Sequence, residues 1–197
     1  MNGSTWRRLW LKFLIIISVL LIPGQIVAEK DKTTVEMLVF VDFYCPHCHA
    51  FEMEVVPALE KEFGSKLQVR TMGYPVMRKD SSNLIGIFLV AEQFGKGEAI
   101  KNLLFKAVHD PTPSIQVSDL EGLIRETGLD PEMVRKMAGS ARIQKIMADE
   151  IDLANSYSVQ GTPGVVINKV RIDEHSLSHL SYVIHKELEK VPRSSSK

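Results

Sequence analysis

Only two cysteines occur in 197 residues, which excludes a fold stapled by several disulfides. Tryptophan is as scarce, and both copies, Trp6 and Trp10, lie near the start of the chain. Neither sign of charge is in excess, with 24 basic residues against 24 acidic. No basic surface for nucleic acid is implied, and no acidic tail. A long hydrophobic run is missing too: the apolar stretch from Phe13 to Ile22 has 10 residues, against the roughly 20 that a membrane-spanning helix needs. There is no internal repeat, and the only biased segment is a polar tail at 192–197.

That short stretch has a recognisable setting. Arg7, Arg8 and Lys12 precede it, and Pro23-Gly24 and then Ile26-Val27-Ala28 follow. These are the charged, apolar and small-residue regions of a secretory signal over residues 1–28. Leu9-Trp10-Leu11 would extend the apolar stretch past Lys12 into an uncleaved anchor. Arg7-Arg8-Leu9-Trp10-Leu11-Lys12 also has twin-arginine form, with a greasier run than such signals carry. On each reading the bulk of the chain works in the periplasm or otherwise outside the cytoplasmic membrane, where disulfides persist. Without residues 1–28 the chain keeps 21 basic and 24 acidic residues. Residues 29–191 suit one domain with a core of its own, which does not need a bridge across two intervening residues to stand up.

Both cysteines fall in one motif, Cys45-Pro46-His47-Cys48, directly after the apolar run Met37-Leu38-Val39-Phe40-Val41-Asp42-Phe43-Tyr44. A strand delivering Cys-x-x-Cys to the start of a helix is an arrangement for thiol chemistry. Free N–H groups and the helix dipole stabilise a thiolate at Cys45, and Cys48 lies one turn on, within reach of a disulfide. The His47 imidazole adds a hydrogen-bond donor or a positive charge. Such a pair moves two electrons with no cofactor.

Element order reads β-α-β, a helical block, then β-β-α. A strand around 35–43 leads to a helix over 46–63 that stops at Gly64 and is kinked by Pro57. A strand at 67–72 follows, and the order favours a parallel pair with the first. Residues 80–157 carry helices only: one ending near Gly95, one from Ala99 to His109, and one opened by a Ser118-Asp119-Leu120-Glu121 capping box. The last two are one with Asp130 as N-cap before Pro131, and one from Ala141 to Tyr157. After Gly161-Thr162-Pro163-Gly164, Val165–Ile167 and Val170–Ile172 form a hairpin around Asn168-Lys169, and a helix from Leu177 to Leu188 closes the domain.

This is the order of an α/β thioredoxin fold with an inserted helical domain. The segment Phe43-Tyr44-Cys45-Pro46-His47-Cys48-His49-Ala50-Phe51-Glu52 resembles the active-site segment of the DsbA-like thiol:disulfide oxidoreductases, and Gly161-Thr162-Pro163 resembles their cis-proline loop. The resemblance implies a dithiol oxidase in which Cys45 is the exposed nucleophile and leaving thiolate, and Cys48 its buried partner. Pro46 and His47 would complete the catalytic motif. Pro163 would be cis, setting the backbone of Thr162 against an extended substrate segment. It also implies reduced or partly folded exported proteins as substrates and a membrane partner that reoxidises the pair. Residues 29–34 leave no room before the first strand for the dimerisation module of the family's isomerases, so a monomer is expected. A threonine before the proline nonetheless occurs in isomerase-like relatives, and a reductase direction stays open. One departure is Val39, which stands where many thioredoxin-like enzymes bury an acid; Asp42, nearer the pair, points to the opposite face.

Two rivals use the same residues. Cys45-Pro46-His47-Cys48-His49 fits the Cys-x-x-Cys-His pattern of c-type haem attachment, with His49 as proximal ligand and Met72 or Met77 opposite. Soft-metal capture by both thiolates with His47 or His49 is the second. Elsewhere, His175 and His179 are spaced to share a solvated helix face. Met133, Met137 and Met147 read as core filler, and His109 as a residue offsetting the dipole of its own helix.

Overall fold

The computed structural model describes residues 34–110, 112 and 116–190. The expected signal at 1–28 and the polar tail at 192–197 lie outside these. Among the described residues no helix is long and apolar enough to cross a membrane.

The strand β1 (Val35–Val41) is buried along nearly its whole length, as expected of a central strand covered on both faces. Its side chains alternate between two cores. Val35, Met37, Val39 and Val41 enter the larger one, and Leu38 and Phe40 a smaller one with Met72, Ala154, Val159 and Val166. The chain then enters α1 (Pro46–Ala50), passes a π-helical turn at Phe51–Val55, and continues as α2 (Val56–Phe63). The kink expected of Pro57 takes this form. Proline has no N–H, and its ring crowds the carbonyl four residues back, so the ladder widens just before it; Val56 N–H accordingly bonds Phe51 O. Gly64, at φ 53°, ends the helix as its lack of a Cβ permits.

The strand β2 (Leu67–Gly73) pairs parallel with β1, bringing Phe40 opposite Met72. The helical block contains α3 (Ser81–Gln93), α4 (Gly97–His109), α5 (Leu120–Glu126), α6 (Pro131–Ala138) and α7 (Ala141–Ser156). Asp130 caps α6 with Pro131 at its first turn, as the sequence implied. The Ser118 capping box does not form. A 3-10 turn at Val117–Asp119 moves the cap to Asp119, whose carboxylate accepts Gly122 N–H, and Glu121 turns to Arg125 and Arg135.

The strand β3 (Gly164–Ile167) returns antiparallel to β1 and pairs with β4 (Val170–Ile172) across Asn168 and Lys169, both at positive φ. The helix α8 (Leu177–Glu189) follows, and the sheet order is β2-β1-β3-β4. His175 precedes α8, so it shares no helix face with His179; its Nε2 lies 2.8 Å from Ile172 O. Met147 is buried, and Met133 and Met137 pack against the larger core.

Two features fix the helical block to the sheet near the cysteines. The ring of Phe43, fully buried, meets Phe88 of α3 and Phe105 of α4 at centroid distances of 5.7 and 4.8 Å. At the end of β2, Gly73 leaves room for Ile85; a Cβ there would lie 2.2 Å from Ile85 Cγ2.

Candidate active site

The turn after β1 is held from within. Asp42, fully buried, accepts Tyr44 N–H at 3.0 Å and the N–H groups of Val76 and Met77 at 2.9 and 2.8 Å. Its own carbonyl accepts Cys45 N–H at 3.0 Å. The carboxylate thus ties the active-site turn to the loop after β2. Asp42 is a structural anchor and does not stand in for the acid absent at Val39.

This turn sets Cys45 as the N-cap of α1, with Pro46 first in the helix. Cys48 N–H points at Cys45 Sγ over 3.2 Å. On the other side the Cys45 thiol donates to Thr162 O at 3.3 Å, across the cis Thr162–Pro163 bond. Cys45 and Cys48 are both free thiols. Cys45 is less open than an exposed nucleophile, with 2 % of its surface accessible against none for Cys48. The helix cap and the proline loop cover it from two sides.

The two sulfurs differ in acidity. The Cys48 thiol, donating to the Cys45 sulfur, is the largest cause that lowers Cys45 from 9.0 to about 6. Burial opposes this, and Thr162 with the backbone N–H groups of Cys48 and His47 adds to it. The Thr162 hydroxyl is buried and has no hydrogen-bond partner among the described residues, so it is available as a donor when Cys45 ionises. Burial pushes the Cys48 thiol strongly up. His47 contributes through its backbone; its ring is exposed and lines the neighbouring groove. The imidazole donation expected from the sequence is not the route.

That groove has a volume of about 640 Å³. Phe51 and Val55 line it together with Thr162 and Pro163, and so do Arg171 and His175, whose ring meets that of Phe51. The sequence-derived residues Cys45, Pro46, His47, Cys48, Thr162 and Pro163 therefore meet at one place.

A model of the DSBA-like thioredoxin domain matches residues 36–185. The chain belongs to that family. The thiol:disulfide interchange protein DsbA of Haemophilus influenzae is 27% identical over 165 residues, covering 80% of this chain and 78% of the relative. The structure of a thioredoxin-like oxidoreductase from Silicibacter pomeroyi is similar, with TM-score 0.69 at 21% identity, covering 80% of this chain and 88% of that one. So is a Proteus mirabilis DsbA variant complexed with a non-covalently bound peptide, with TM-score 0.63 at 17% identity, covering 78% and 89%. Membership makes the chain a thiol:disulfide oxidoreductase with the expected thioredoxin-like fold.

The DsbA-like site does not match the geometry of the rivals. Met72 packs in the small core on one sheet face, while His49 lies against Phe105 of the larger core on the other. These two cannot bracket a haem iron, and Met77, the other methionine expected there, is exposed in the loop after β2 with its N–H on Asp42. His49 Nε2 turns to Asp110 at 3.4 Å and His47 toward the groove, so neither ring joins the sulfurs. Among the described residues no group of three or more His, Cys, Asp and Glu is placed to hold a metal ion.

Sequence reasoning missed a buried network one turn beyond Cys48. Lys101 Nζ lies 2.7 Å from Glu52 Oε2 and 2.8 Å from Glu98 Oε2, and Thr71 donates to Glu52 Oε1 at 3.2 Å. The available signal was spacing: Glu52 is four residues after Cys48, hence on its helix face. His109 was misread. It is the last residue of α4, yet its Nε2 lies 2.9 Å from Phe43 O in the active-site turn.

Proposed function

We propose that this oxidoreductase is an exported dithiol oxidase that passes a disulfide from Cys45–Cys48 to reduced or partly folded exported proteins. In this reading residues 1–28 are the export signal, residues 29–191 the catalytic domain with its helical insertion at about 80–157, and the protein acts as a monomer in the periplasm. A substrate thiolate attacks Cys45 Sγ of the oxidised pair. The Cys45–Cys48 bond breaks, Cys48 leaves and takes a proton, and a mixed disulfide forms. A second substrate thiolate then attacks the substrate sulfur of that bond and releases Cys45 as thiolate. Two electrons pass from substrate to enzyme, and a membrane partner removes them again.

The observation that carries this reading is the setting of Cys45 as N-cap of α1 against the cis Thr162–Pro163 loop, where the Cys48 thiol and the N–H groups of the helix start pull its acidity down to about 6. A leaving thiolate that stable favours the second step and the reduced enzyme, which makes the disulfide a strong oxidant. The groove beside Thr162 and Pro163 supports an extended substrate segment bound next to the sulfur, with the Thr162 backbone as its pairing edge.

The test is a redox titration against glutathione, combined with refolding of a reduced, denatured disulfide protein. The oxidised protein is expected to form substrate disulfides stoichiometrically and Cys45→Ser to form none. A potential close to that of thioredoxin with no oxidation of substrate would make the protein a reductase instead. Without residues 1–28 no tryptophan remains, so mass after alkylation is the suitable readout.

A further inference from the structure

The reaction above uses neither His49 nor His109, yet these two rings are the most nearly parallel ring pair among the described residues. Their centroids are 4.9 Å apart with planes 8° from parallel. Phe105 continues the stack, 5.9 Å from His49. His49 immediately follows Cys48; His109 ends α4 and Asp110 is its C-cap, in the helical block.

The end of α4 therefore grips the motif on both flanks. Before Cys45, His109 Nε2 meets the Phe43 carbonyl at 2.9 Å. A carbonyl only accepts, so this nitrogen carries the proton. After Cys48, His49 Nε2 faces Asp110 Oδ2 at 3.4 Å. Within the turn, Asp42 satisfies the N–H groups of Tyr44 and Cys45. The bond to the Phe43 carbonyl is the one that comes from the helical block.

We propose that His109 is a positioning residue for the redox pair. Through the Phe43 carbonyl and the His49 ring it holds residues 43–49 against α4, so that the N–H groups at the start of α1 stay aimed at the Cys45 sulfur. Cys48 N–H reaches that sulfur over 3.2 Å, and hydrogen bonds weaken steeply as distance and angle degrade. Without the His109 bond the turn relaxes toward other partners for Phe43 O, the thiolate loses donors, and the balance moves toward the disulfide. The inference rests on the thiol-exchange reading and adds to it a control exerted from the inserted domain.

The experiment equilibrates the full chain with glutathione: enzyme disulfide plus two glutathione thiols gives enzyme dithiol plus glutathione disulfide. Three variants separate the donor from the ring. His109→Leu removes both, His109→Phe keeps a stacked ring without the donor, and His109→Gln keeps an N–H donor without the ring. His109→Leu and His109→Phe are expected to lower the equilibrium constant about 3- to 10-fold, the worth of one hydrogen bond. They also move the ultraviolet titration of the Cys45 thiolate to higher pH. His109→Gln is expected within about 2-fold of the wild type, as for a neutral substitution. Constants for His109→Leu and His109→Phe equal to wild type overturn the proposal. So does a loss in His109→Gln as large as in His109→Leu. A merely structural role destabilises oxidised and reduced forms alike and leaves the constant unmoved, which overturns it too. If the wild type itself exchanges no disulfide with glutathione, the reading of the site fails along with the inference.

Discussion

Two polar sites lie on either side of Cys48, one at the start of α1 and one a helical turn beyond it, and they handle charge in opposite ways. At Glu52 every charge has a partner. The carboxylate, with no exposed side-chain surface, meets Lys101, exposed by 6 %, and the Thr71 hydroxyl, while Lys101 also reaches Glu98. At Cys45 no cation among the described residues is paired with the sulfur. The sulfur faces N–H groups of its own helix and a threonine hydroxyl that has no other partner among the described residues. Both sites are dry enough for burial to raise the acidic groups in them: it pushes up the Glu52 carboxyl against the pull of Lys101, and the Cys48 thiol likewise. The first site neutralises charge that is always there; the second keeps donors ready for charge that comes and goes. Full pairing makes structure, and unspent donors make reactivity.

The hardest way to break this comparison is to unpair the first site. Lys101→Met leaves a carboxylate, or the cost of protonating it, deep in the core. The loss should be about 3–5 kcal/mol in chemical denaturation, and the double variant with Glu52→Leu should recover most of it. The glutathione equilibrium of Lys101→Met should stay within about 2-fold of wild type. A redox shift comparable to the stability loss would mean that the two sites are one.

Titration addresses the second site. A thiol lowered from 9.0 to about 6 in the folded, reduced protein gives up its proton earlier there than in the unfolded chain. Stability of the reduced form therefore rises with pH between about 6 and 9, and the gain is lost again as pH falls through 6. The oxidised form has no thiol to titrate. Glu150, pushed up to about 7 chiefly by burial while accepting Gly73 N–H, destabilises both forms as pH rises through 4.5 to 7. It cancels in the difference. The reduced-minus-oxidised gap, measured by denaturation at each pH, should widen by up to about 4 kcal/mol across the window. A flat gap would mean that Cys45 is an ordinary thiol.

Much of this was legible in the sequence, for local reasons. Strand and helix order followed from apolar periodicity, and the stops that Gly signalled and the start that Asp130-Pro131 signalled proved correct within a residue or two. The Cys-x-x-Cys position at a helix start needed only the preceding strand. What failed was long-range. Ser118 and Asp119 both satisfy a capping rule, and the 3-10 turn that chose Asp119 belongs to the packing of that region. His109 read as a residue serving its own helix, because nothing local reveals a carbonyl 66 positions earlier. Lys101 and Glu52 are 49 residues apart, and their pairing depends on how α4 docks. The openness of Cys45 was misjudged for the same reason, since the Thr162 loop, 117 residues away, lies against its sulfur.

The smallest expected effect is the sharpest probe, because its two parts have opposite signs. Thr162→Val keeps the shape of the side chain and removes only the hydroxyl, which is buried and otherwise unpartnered. In the oxidised protein that hydroxyl has no anion to serve, and burying it without a bond is costly; its removal should stabilise the oxidised form by about 1 kcal/mol. In the reduced protein the same hydroxyl is among the groups that lower Cys45. Its removal should raise the Cys45 titration by about 0.5–1 pH unit and make the disulfide a weaker oxidant by a similar factor. Paired measurement of oxidised-form stability and thiolate titration decides the matter. A loss of oxidised stability would show the hydroxyl already bonded, and the contrast between spent and unspent donors would not hold at this residue.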